Sequence, residues 1–355
     1  MIAFLVDDIS LPGGAERVIC NVANLFVEEL NKDVLIITTN KKNSNLFYNL
    51  NKNVLIINLN IYNTKKNKYI KKFEVIKKLK KIDKNYNIDK YFGVGTLNTL
   101  LLKLALIKKN IYAYEHIEYD AIKKILIPFR QMIYPKLKGV IVLTEIDKVK
   151  YLKLNNKVFL IPNFLSFYPK DSSRLDNKII LSIGRLTARK GFDYLIKSCN
   201  LIKEELKDWN VIIIGEGEEK EALYNLIKSC KLEGIIKIHS PTNNIIKYYK
   251  NSSIYVMPSL YEGFGMVLIE AMALGVPCIS FNCPTGPGDI IKNNQDGFLV
   301  KEKNIIELSK CIKKLILDEE LRKFFGKNAK KNVLKFSKEK IKILWEDLLY
   351  KEEIV

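Results

Sequence analysis

The sequence predicts an α/β protein built from two Rossmann-like, doubly wound domains. Short apolar runs alternate with segments of helical period, as in parallel sheets with helical crossovers. The alternation forms two series, which a polar stretch at Lys170–Asn177 separates, and the linker is expected near Pro162–Asn177. The length of 355 residues also suits two medium-sized domains. We therefore expect an N-terminal domain over 1–168, a C-terminal domain over 175–335, and a last helix over about 338–355 whose apolar face suits packing back on the first domain.

Each series supplies a set of buried strands. The first set is expected at Ile2–Val6, Val34–Thr38, Val54–Leu59, Tyr112–Tyr114, Val140–Leu143 and Val158–Ile161. The second set is expected at Ile179–Ile183, Val211–Gly215, Ile235–Ile238, Ile254–Met257 and Pro277–Ser280. Amphipathic segments between them predict helices, at Ala15–Leu30, Thr96–Lys108, Gly191–Leu206, Glu218–Cys230, Ile245–Lys250 and Gly265–Leu274. Ligands of such sheets bind outside the carboxyl ends of the strands, so the loops there are the candidate site.

Charge is the unusual feature of the composition, with a net value of +20. Residues 1–170 hold 29 Lys and Arg against 14 Asp and Glu, whereas residues 171–355 hold 30 against 25. Attraction to a membrane surface, a lipid diphosphate or nucleic acid would explain this excess. The Lys and Asn bias of an AT-rich genome would explain it equally well, so both interpretations stay open.

The remaining composition favours a cytoplasmic protein. Six cysteines are scattered without a CxxC pair, which argues against a zinc site or a disulfide framework. The N-terminus is typical of a first strand and not of a signal peptide. No window approaches the roughly 20 apolar residues of a membrane span.

Three loops after predicted strands carry glycines or cations. In LPGGAER (11–17), Gly14 opens a helix, whose N-terminus attracts anions. GRLTARKG (184–191) places Arg185, Arg189 and Lys190 in one loop, and these cations suit a diphosphate. IGEGE (214–218) contributes Gly215 as a weaker signal. The structural alternative is a tight strand-to-helix turn for the first loop and a solvated basic loop for the second.

The most informative segment is YEGFGMVLIEAMA (261–273), in which two glutamates bracket the start of a helix. Glu262 precedes a Gly-Phe-Gly turn whose backbone N–H groups are suited to an anion. Glu270 has apolar neighbours in the helix, which predicts burial, and a buried carboxylate needs a partner. Ribose hydroxyls would satisfy it. His116, one of two histidines, ends a strand on the ligand side of the first domain, where a structural role is the alternative.

With these residues, the chain resembles glycosyltransferase family 4, the retaining group with the GT-B fold. The motifs GGAERV, GRLTARKG and EGFGMVLIEAMALGVPCIS occur in the expected order over essentially the whole chain. The segments CPTGPGDII (283–291) and DGFLV (296–300) are similar to those of members that make bacterial surface glycans. One departure is Ser240-Pro241, where the family often has glycine, so the contacts to the base are the least defined.

The resemblance implies a hexosyltransferase that moves a hexose or N-acetylhexosamine from a nucleotide sugar, with UDP as the expected nucleotide. The acceptor would be a growing glycan, lipid-linked, in surface polysaccharide, lipooligosaccharide or glycoprotein glycan synthesis. Catalysis is assigned to His116, Glu262, Arg185 and Lys190. Donor binding is assigned to Gly14, Arg185, Lys190, Gly215, Ile245, Glu262, Gly263, Phe264, Gly265, Met266, Val267 and Glu270. The site would lie in the cleft between the two domains.

The same resemblance implies a reaction in which the leaving diphosphate accumulates negative charge. Arg185, Lys190 and the helix N-terminus would stabilise that charge. The chain contains no Asp-x-Asp motif, so we expect no metal and no cofactor, only the nucleotide sugar as co-substrate.

A basic segment at 63–86 predicts an amphipathic helix. It holds ten lysines, and Tyr69, Phe73, Ile76, Leu79, Ile82 and Tyr86 recur every three or four residues. One interpretation is peripheral docking of Lys71, Lys72, Lys77 and Lys78 on the anionic inner face of the cytoplasmic membrane, near a polyprenyl-diphosphate acceptor. An ordinary lysine-rich surface helix is the alternative.

Two other functions remain open at this point. A GT-B-fold nucleotide-sugar epimerase keeps the fold, but the spacing of Glu262 and Glu270 disfavours it. A basic nucleic-acid-binding protein would explain the charge, yet no recognition motif is visible and the aromatic residues do not interleave with a basic stripe. We therefore expect no nucleic-acid partner.

Overall fold

The computed structural model describes residues 1–40, 45–61, 67–165, 167–169, 171–242 and 244–350. It divides into two compact units. Unit 1 contains Met1–Asn163 together with Ile341–Val355, and unit 2 contains Phe164–Lys340.

Unit 1 is a doubly wound α/β unit. Its strands are β1 (Ile2–Val6), β2 (Val34–Thr38), β3 (Leu55–Asn58), β4 (Lys90–Val94), β5 (Asn110–Tyr114), β6 (Gly139–Val142) and β7 (Val158–Leu160). Its helices are α1 (Gly14–Glu28), α2 (Lys68–Asn85), α3 (Thr96–Ala105), α4 (Ile127–Ile133) and α5 (Glu145–Leu152). The strands form one parallel sheet in the order β3-β2-β1-β4-β5-β6-β7.

Unit 2 repeats this architecture. Its strands are β8 (Ile179–Ile183), β9 (Asn210–Ile214), β10 (Ile236–His239), β11 (Ile254–Met257), β12 (Cys278–Phe281) and β13 (Gly297–Val300). Its helices are α6 (Phe192–Leu201), α7 (Lys220–Ser229), α8 (Ile245–Lys250), α9 (Met266–Ala273), α10 (Pro287–Ile290), α11 (Ile305–Leu317) and α12 (Glu319–Asn332). The parallel sheet has the order β10-β9-β8-β11-β12-β13, and α13 (Lys338–Tyr350) follows. The predicted α/β class is therefore confirmed.

Strand β4 is the strand of unit 1 that the sequence did not predict. It lies in the middle of the sheet, although it begins with a lysine and contains Gly93, and both residue types are rare in buried strands. The glycine has a packing reason, because a Cβ atom there would lie 2.5 Å from the Cα atom of Thr99 in α3. Close approach of helix and strand therefore overrides the local preference. In unit 2, β13 was also missed.

The C-terminal helix α13 completes the core of unit 1. Trp345 is fully buried and meets three rings edge-on, with centroids 5.1 Å from Phe26, 5.9 Å from Phe92 and 5.4 Å from Tyr114. Such edge-to-face pairs stabilise a core beyond the area that they bury. The last helix of the chain is thus part of the unit that contains its first residues.

Hydropathy gives no membrane span in the described part of the chain: none of its helices combines the length and the apolar character that crossing a bilayer requires.

Candidate functional site

The two loops that carry the sequence motifs of unit 2 lie side by side. Residues 184–191 follow β8 and residues 258–265 follow β11, and these strands are neighbours where the strand order reverses. The backbone N–H of Leu260 donates to the carbonyl of Arg189 at 2.9 Å. This is the position at which open α/β sheets bind their ligands.

Lys190 and Glu262 form an ion pair across these loops. The Lys190 Nζ atom lies 2.6 Å from Glu262 Oε1, and their side chains are 25% and 10% exposed. Thr285 holds the glutamate loop by donating its hydroxyl to the carbonyl of Glu262 at 2.6 Å. Two residues that are 72 positions apart in the chain thus present one cation and one carboxylate at the same place.

Arg185 differs from Lys190 in its surroundings. Its side chain is exposed, and it forms no ion pair with any carboxylate that the structure describes. Arg189 is also exposed, and its guanidinium carbon lies 5.3 Å from the centroid of the Tyr261 ring. Arg185 is therefore available to an anionic ligand without breaking an existing pair.

Glycines allow these loops to approach each other. Gly191 has a φ of +65°, and a Cβ atom there would lie 2.1 Å from the carbonyl oxygen of Pro258. Gly215, expected at the donor site, would place a Cβ atom 2.0 Å from the carbonyl oxygen of Gly184. Both glycines therefore have a packing reason that is independent of any ligand.

The glutamate loop leads directly into α9. Gly265 precedes the helix with a φ of +106°, and Met266 and Val267 are its first two residues. The first N–H groups of a helix have no intrahelical acceptor and favour anions. Phe264 is buried and packs edge-on against Phe336, with ring centroids 5.2 Å apart. Gly263 lies between this anchored ring and Glu262.

Glu270 lies one turn into α9 and is only 1% exposed, as its apolar neighbours predicted. Its Oε2 atom accepts a hydrogen bond of 2.9 Å from the hydroxyl of Tyr249, which is fully buried in α8. The sequence did not identify Tyr249, because nothing in the local pattern of α8 connects it with a residue 21 positions away. Ile245 begins the same helix and is partly buried.

The candidate residues of unit 1 lie at the carboxyl edge of its own sheet. Gly14 is the first residue of α1, and a Cβ atom there would meet no described atom within 4 Å. The described residues therefore leave open space beside the backbone of Gly14. His116 follows β5, and its ring centroid lies 4.1 Å from that of Tyr114.

The imidazole of His116 is neutral in this environment. Its Nε2 atom is buried and finds no hydrogen-bond partner among the residues that the structure describes. Burial lowers the pKa of His116 to about 3. The ring therefore offers a neutral donor or acceptor group at physiological pH and not a positive charge.

A buried polar network supports the segment that carries His116. Glu115, which directly precedes it, accepts hydrogen bonds from the hydroxyls of Tyr134 and Thr96. Burial raises the pKa of Glu115 to about 7, against the opposing effects of the Tyr134 hydrogen bond and the nearby Arg130. No local sequence pattern indicates this network, because its members Thr96, Glu115, Arg130 and Tyr134 come from separate segments.

Two further contacts fix the same segment a few residues later. Asp147 Oδ1 accepts from the backbone N–H of Tyr119 at 2.9 Å, and Arg130 donates to the Tyr119 carbonyl at 2.8 Å. The Arg130 guanidinium also stacks on the Tyr119 ring at 3.7 Å. The segment after β5 is therefore held from both sides of its backbone.

The basic helix differs from its sequence-based description. The predicted segment begins at 63, but residues 63–66 lie outside the described part of the chain, and α2 starts at Lys68 after the cap Asn67. Its apolar stripe divides: Leu79 and Ile82 are buried, whereas Tyr69 and Phe73 are 78% and 68% exposed.

The four lysines assigned to this surface are not equivalent. Lys77 and Lys78 are exposed, and Lys71 and Lys72 are partly buried. The ammonium group of Lys78 donates to the carbonyl of Leu59, so part of its hydrogen-bonding capacity is used within the protein.

A family model described as glycosyl transferases group 1 matches residues 167–332, which lie within unit 2. An uncharacterized glycosyltransferase of Haemophilus influenzae is 33% identical over 331 residues, covering 90% of this chain and 91% of the relative. The amylovoran biosynthesis glycosyltransferase AmsD of Erwinia amylovora is 31% identical over 97% of this chain and 98% of its own. The chain therefore belongs to the group 1 glycosyltransferases.

A third relative has a more specific name. It is the Campylobacter jejuni N-acetylgalactosaminyltransferase named for a diphosphoundecaprenol-linked acceptor, and it is 28% identical over 98% of both chains.

Solved structures of glycosyltransferases share the fold. A Staphylococcus aureus TarM variant in complex with fondaparinux, α-GlcNAc-glycerol and UDP superposes with a TM-score of 0.81, at 18% identity, over 98% of this chain and 99% of its own. Anabaena HepE in complex with UDP and glucose has a TM-score of 0.82, at 15% identity, over 100% and 99%. At these identities the likeness shows the GT-B fold alone.

Proposed function

We propose that this glycosyltransferase is a retaining, family 4-type enzyme that transfers a hexose or N-acetylhexosamine from a UDP-sugar to a lipid-linked glycan. The pairing of Lys190 with Glu262, eight residues before the buried Glu270, is the observation that carries this proposal. Lys190 supplies a cation for a diphosphate and Glu262 a carboxylate for sugar hydroxyls. Glu270, in the helix that follows, supplies a second carboxylate for a ribose.

The donor is assigned to these residues in unit 2 as follows. Arg185 and Lys190 hold the diphosphate, and the N–H groups of Met266 and Val267 assist them. Glu262 binds hydroxyls of the donor sugar, beside Gly263, Phe264 and Gly265. Glu270 binds the ribose, and the base lies near Gly215 and Ile245. Two residues of unit 1 complete the assignment, Gly14 for the donor phosphates and His116 for the donor sugar.

The chemistry follows from where charge develops. Cleavage of the bond between the sugar and the diphosphate leaves positive charge on the sugar ring and negative charge on the departing UDP. Arg185 and Lys190 stabilise the latter, and preorganised charge of this kind is usually the largest catalytic contribution. Because the chain has no Asp-x-Asp motif, we propose that these two cations act without a metal ion.

The ion pair in the unliganded protein has a consequence for binding. Lys190 contacts Glu262 at 2.6 Å, so a bound diphosphate must share the lysine with the glutamate. The sugar hydroxyls then act as donors to Glu262 and compensate for the weakened pair. We therefore expect UDP-sugars to bind more tightly than UDP alone.

The acceptor side is proposed from the surface of unit 1 and from the relatives. The C. jejuni relative is named for a diphosphoundecaprenol-linked acceptor and AmsD for amylovoran biosynthesis. The exposed Tyr69 and Phe73, flanked by Lys71, Lys72 and Lys77, are suited to an anionic interface, since each lysine contributes about 1 kcal/mol near such a surface. We propose that the protein acts in the cytoplasm, at the inner face of the membrane, in the synthesis of a surface glycan.

The donor assignment is tested by comparing two alanine variants. Arg185→Ala should lower turnover by about 10²-fold or more with little change in melting temperature, because this exposed side chain forms no described ion pair. Lys190→Ala should lower turnover by a similar factor and also destabilise unit 2, because it leaves the mostly buried Glu262 without its cation. Donors are identified first by a thermal-shift panel of nucleotide sugars.

Near wild-type kinetics in both variants would overturn the assigned roles. Lys237→Ala is a suitable control, since this exposed lysine lies in β10 at the edge of the same sheet.

Membrane docking is tested by flotation with vesicles that contain phosphatidylglycerol. We expect salt-sensitive binding that Phe73→Ser and Lys72→Glu both weaken, whereas Lys310→Glu, an equal charge change in unit 2, leaves it nearly unchanged. Binding that is absent at low salt, or equally reduced by all three variants, would contradict a specific role for α2.

A further inference from the structure

A second basic site lies away from the proposed donor residues, in unit 2. It is a recess of about 580 Å³ between residues 172–175 and helix α12. Gly275, which lines it, lies beyond the C-terminal end of α9, whereas the proposed diphosphate contacts Met266 and Val267 lie at the N-terminal end. An eight-residue helix is about 12 Å long. The recess is therefore separate from the donor site.

Cations dominate the lining of the recess, which includes Arg174, Lys323, Lys327, Lys330 and Lys331. Two of them are engaged within the protein. Lys323 pairs with Glu319 at 2.8 Å, and Lys330 donates to the Ser172 hydroxyl at 2.8 Å.

The other three cations have no such partner. Across the described ranges, Arg174, Lys327 and Lys331 form no ion pair with a carboxylate. Lys327 and Lys331 are four residues apart on α12, so they lie on one helix face, and like charges at this spacing destabilise a helix. Arg174 reaches the same recess from a different segment. Three cations that have no carboxylate partner among the described residues thus line the same recess.

The backbone around the recess is closely packed. A Cβ atom on Gly326 would lie 2.3 Å from the carbonyl oxygen of Gly275, whose own φ is +72°. The Tyr168 hydroxyl donates to the Lys330 carbonyl at 3.1 Å, and the Ser173 N–H donates to the Leu274 carbonyl at 2.8 Å. These contacts hold α12 close to Gly275 and to Tyr168 and Ser173, and so fix the backbone from which the cations extend.

We propose that this recess binds a phosphate-bearing anion through Arg174, Lys327 and Lys331. Arg presents a planar fork to phosphate oxygens and Lys a point charge, so the set suits two adjacent phosphate groups or one highly charged phosphate. Tyr168 and Leu334 at the same recess are about 40% exposed, which also accommodates an apolar portion of the ligand. This site is independent of the proposed glycosyl transfer and goes beyond it.

The test is a calorimetric titration of the full chain with inorganic pyrophosphate, at about 0.15 M salt and with excess UDP to occupy the donor site. The variant K327Q/K331Q removes the charges of the recess. The matched control K310Q/K314Q removes two exposed lysines at the same spacing on α11, outside the recess. Because both variants remove like charges from a helix surface, neither is expected to unfold the protein. Melting curves verify this.

We expect saturable pyrophosphate binding that K327Q/K331Q weakens about tenfold or more, since the loss of even one charge-assisted contact has about this effect. The control should change it less than about twofold. Arg174→Gln should act in the same direction as K327Q/K331Q. Equal weakening by the recess variant and the control would mean general charge attraction and would overturn the proposal.

A parallel arm distinguishes a lipid headgroup from a free phosphate ligand. If the natural source is a phospholipid, K327Q/K331Q should reduce flotation with phosphatidylglycerol vesicles while K310Q/K314Q does not. If the source is soluble, only the pyrophosphate titration responds. Absence of binding in both arms overturns the proposal.

The test of the recess can also fail or succeed independently of the test of the donor site. UDP affinity should be the same in K327Q/K331Q and in the wild type, whereas Arg185→Ala should lose UDP affinity and retain pyrophosphate binding at the recess. If wild-type protein fails to bind UDP, the donor assignment fails and the result at the recess still stands.

Discussion

Replacing Tyr249 by phenylalanine removes one hydroxyl and almost no volume. That hydroxyl donates to Glu270 at 2.9 Å, and both residues are essentially inaccessible to solvent. A hydrogen bond to a charged group contributes about 1.5–3 kcal/mol. We expect Tyr249→Phe to lower the free energy of unfolding of unit 2 by about 2 kcal/mol, which for a unit of this size is a fall of roughly 4–8 °C in melting temperature.

The same helix offers a matched control. Tyr248 is only partly buried, and its hydroxyl lies 3.3 Å from His239 Nδ1. Tyr248→Phe makes the identical chemical change and should cost less than about 0.5 kcal/mol. Differential scanning calorimetry of the two variants beside the wild type measures the difference directly.

A second measurement separates stability from ligand binding. If Glu270 binds the ribose, losing the hydroxyl that orients its carboxylate should weaken UDP several-fold in Tyr249→Phe and leave Tyr248→Phe unchanged. Equal melting temperatures in the two variants would refute the energetic reasoning. A destabilised Tyr249→Phe with wild-type UDP affinity would refute the ribose contact.

Three other predictions concern protonation and packing. His116 should stay neutral in an NMR titration from pH 8 to pH 5, because burial lowers its pKa to about 3; a protonation step above pH 5 would contradict this. Burial raises the pKa of Glu115 to about 7, so its contribution to stability is lost as the pH rises from the unfolded pKa of about 4.3 through 7. The melting temperature of Glu115→Gln relative to that of the wild type should therefore be higher at pH 8 than at pH 5. A difference in melting temperature that does not change with pH would count against the raised pKa. Gly191→Ala should cost about 1–3 kcal/mol because of its positive φ and the carbonyl of Pro258, whereas Gly234→Ala, with open space around it, should cost less than about 0.5 kcal/mol.

Periodicity predicted most of the fold, because parallel strands buried on both faces form continuous apolar runs. The limits of β1, β2, β8 and β11 agree with the apolar runs to the residue. Two of the elements that differ from the prediction are β4 and α6. β4 carries Lys90 and Gly93, and the reason for the glycine is a helix backbone that is close in space. Helix α6 ends at Leu201, earlier than its amphipathic pattern suggests.

The candidate site was predictable where its chemistry lies in one segment. The burial of Glu270 follows from its neighbours in α9. The pairing of Lys190 with Glu262 does not, because it requires knowing that β8 and β11 are adjacent. Tyr249 and Thr285 were missed for the same reason, since each acts on a residue more than 20 positions away.

In the basic helix α2 the sequence predicted the apolar face but not how much of that face is buried. A repeat of three and four residues indicates that one face is apolar, but it does not say how far the rest of the protein covers that face. Core residues meet Leu79 and Ile82, whereas Tyr69 and Phe73 extend past the covered region.

The burial of Trp345 sets an order for folding during synthesis. The first 163 residues of unit 1 leave the ribosome early, yet the indole that fills the space among Phe26, Phe92 and Tyr114 emerges only after the whole of unit 2. At 5–20 residues per second the delay is roughly 10–40 s. During that interval unit 2 is synthesised while unit 1 keeps an open apolar pocket, so this nascent chain should depend on chaperones at its beginning more than in its middle.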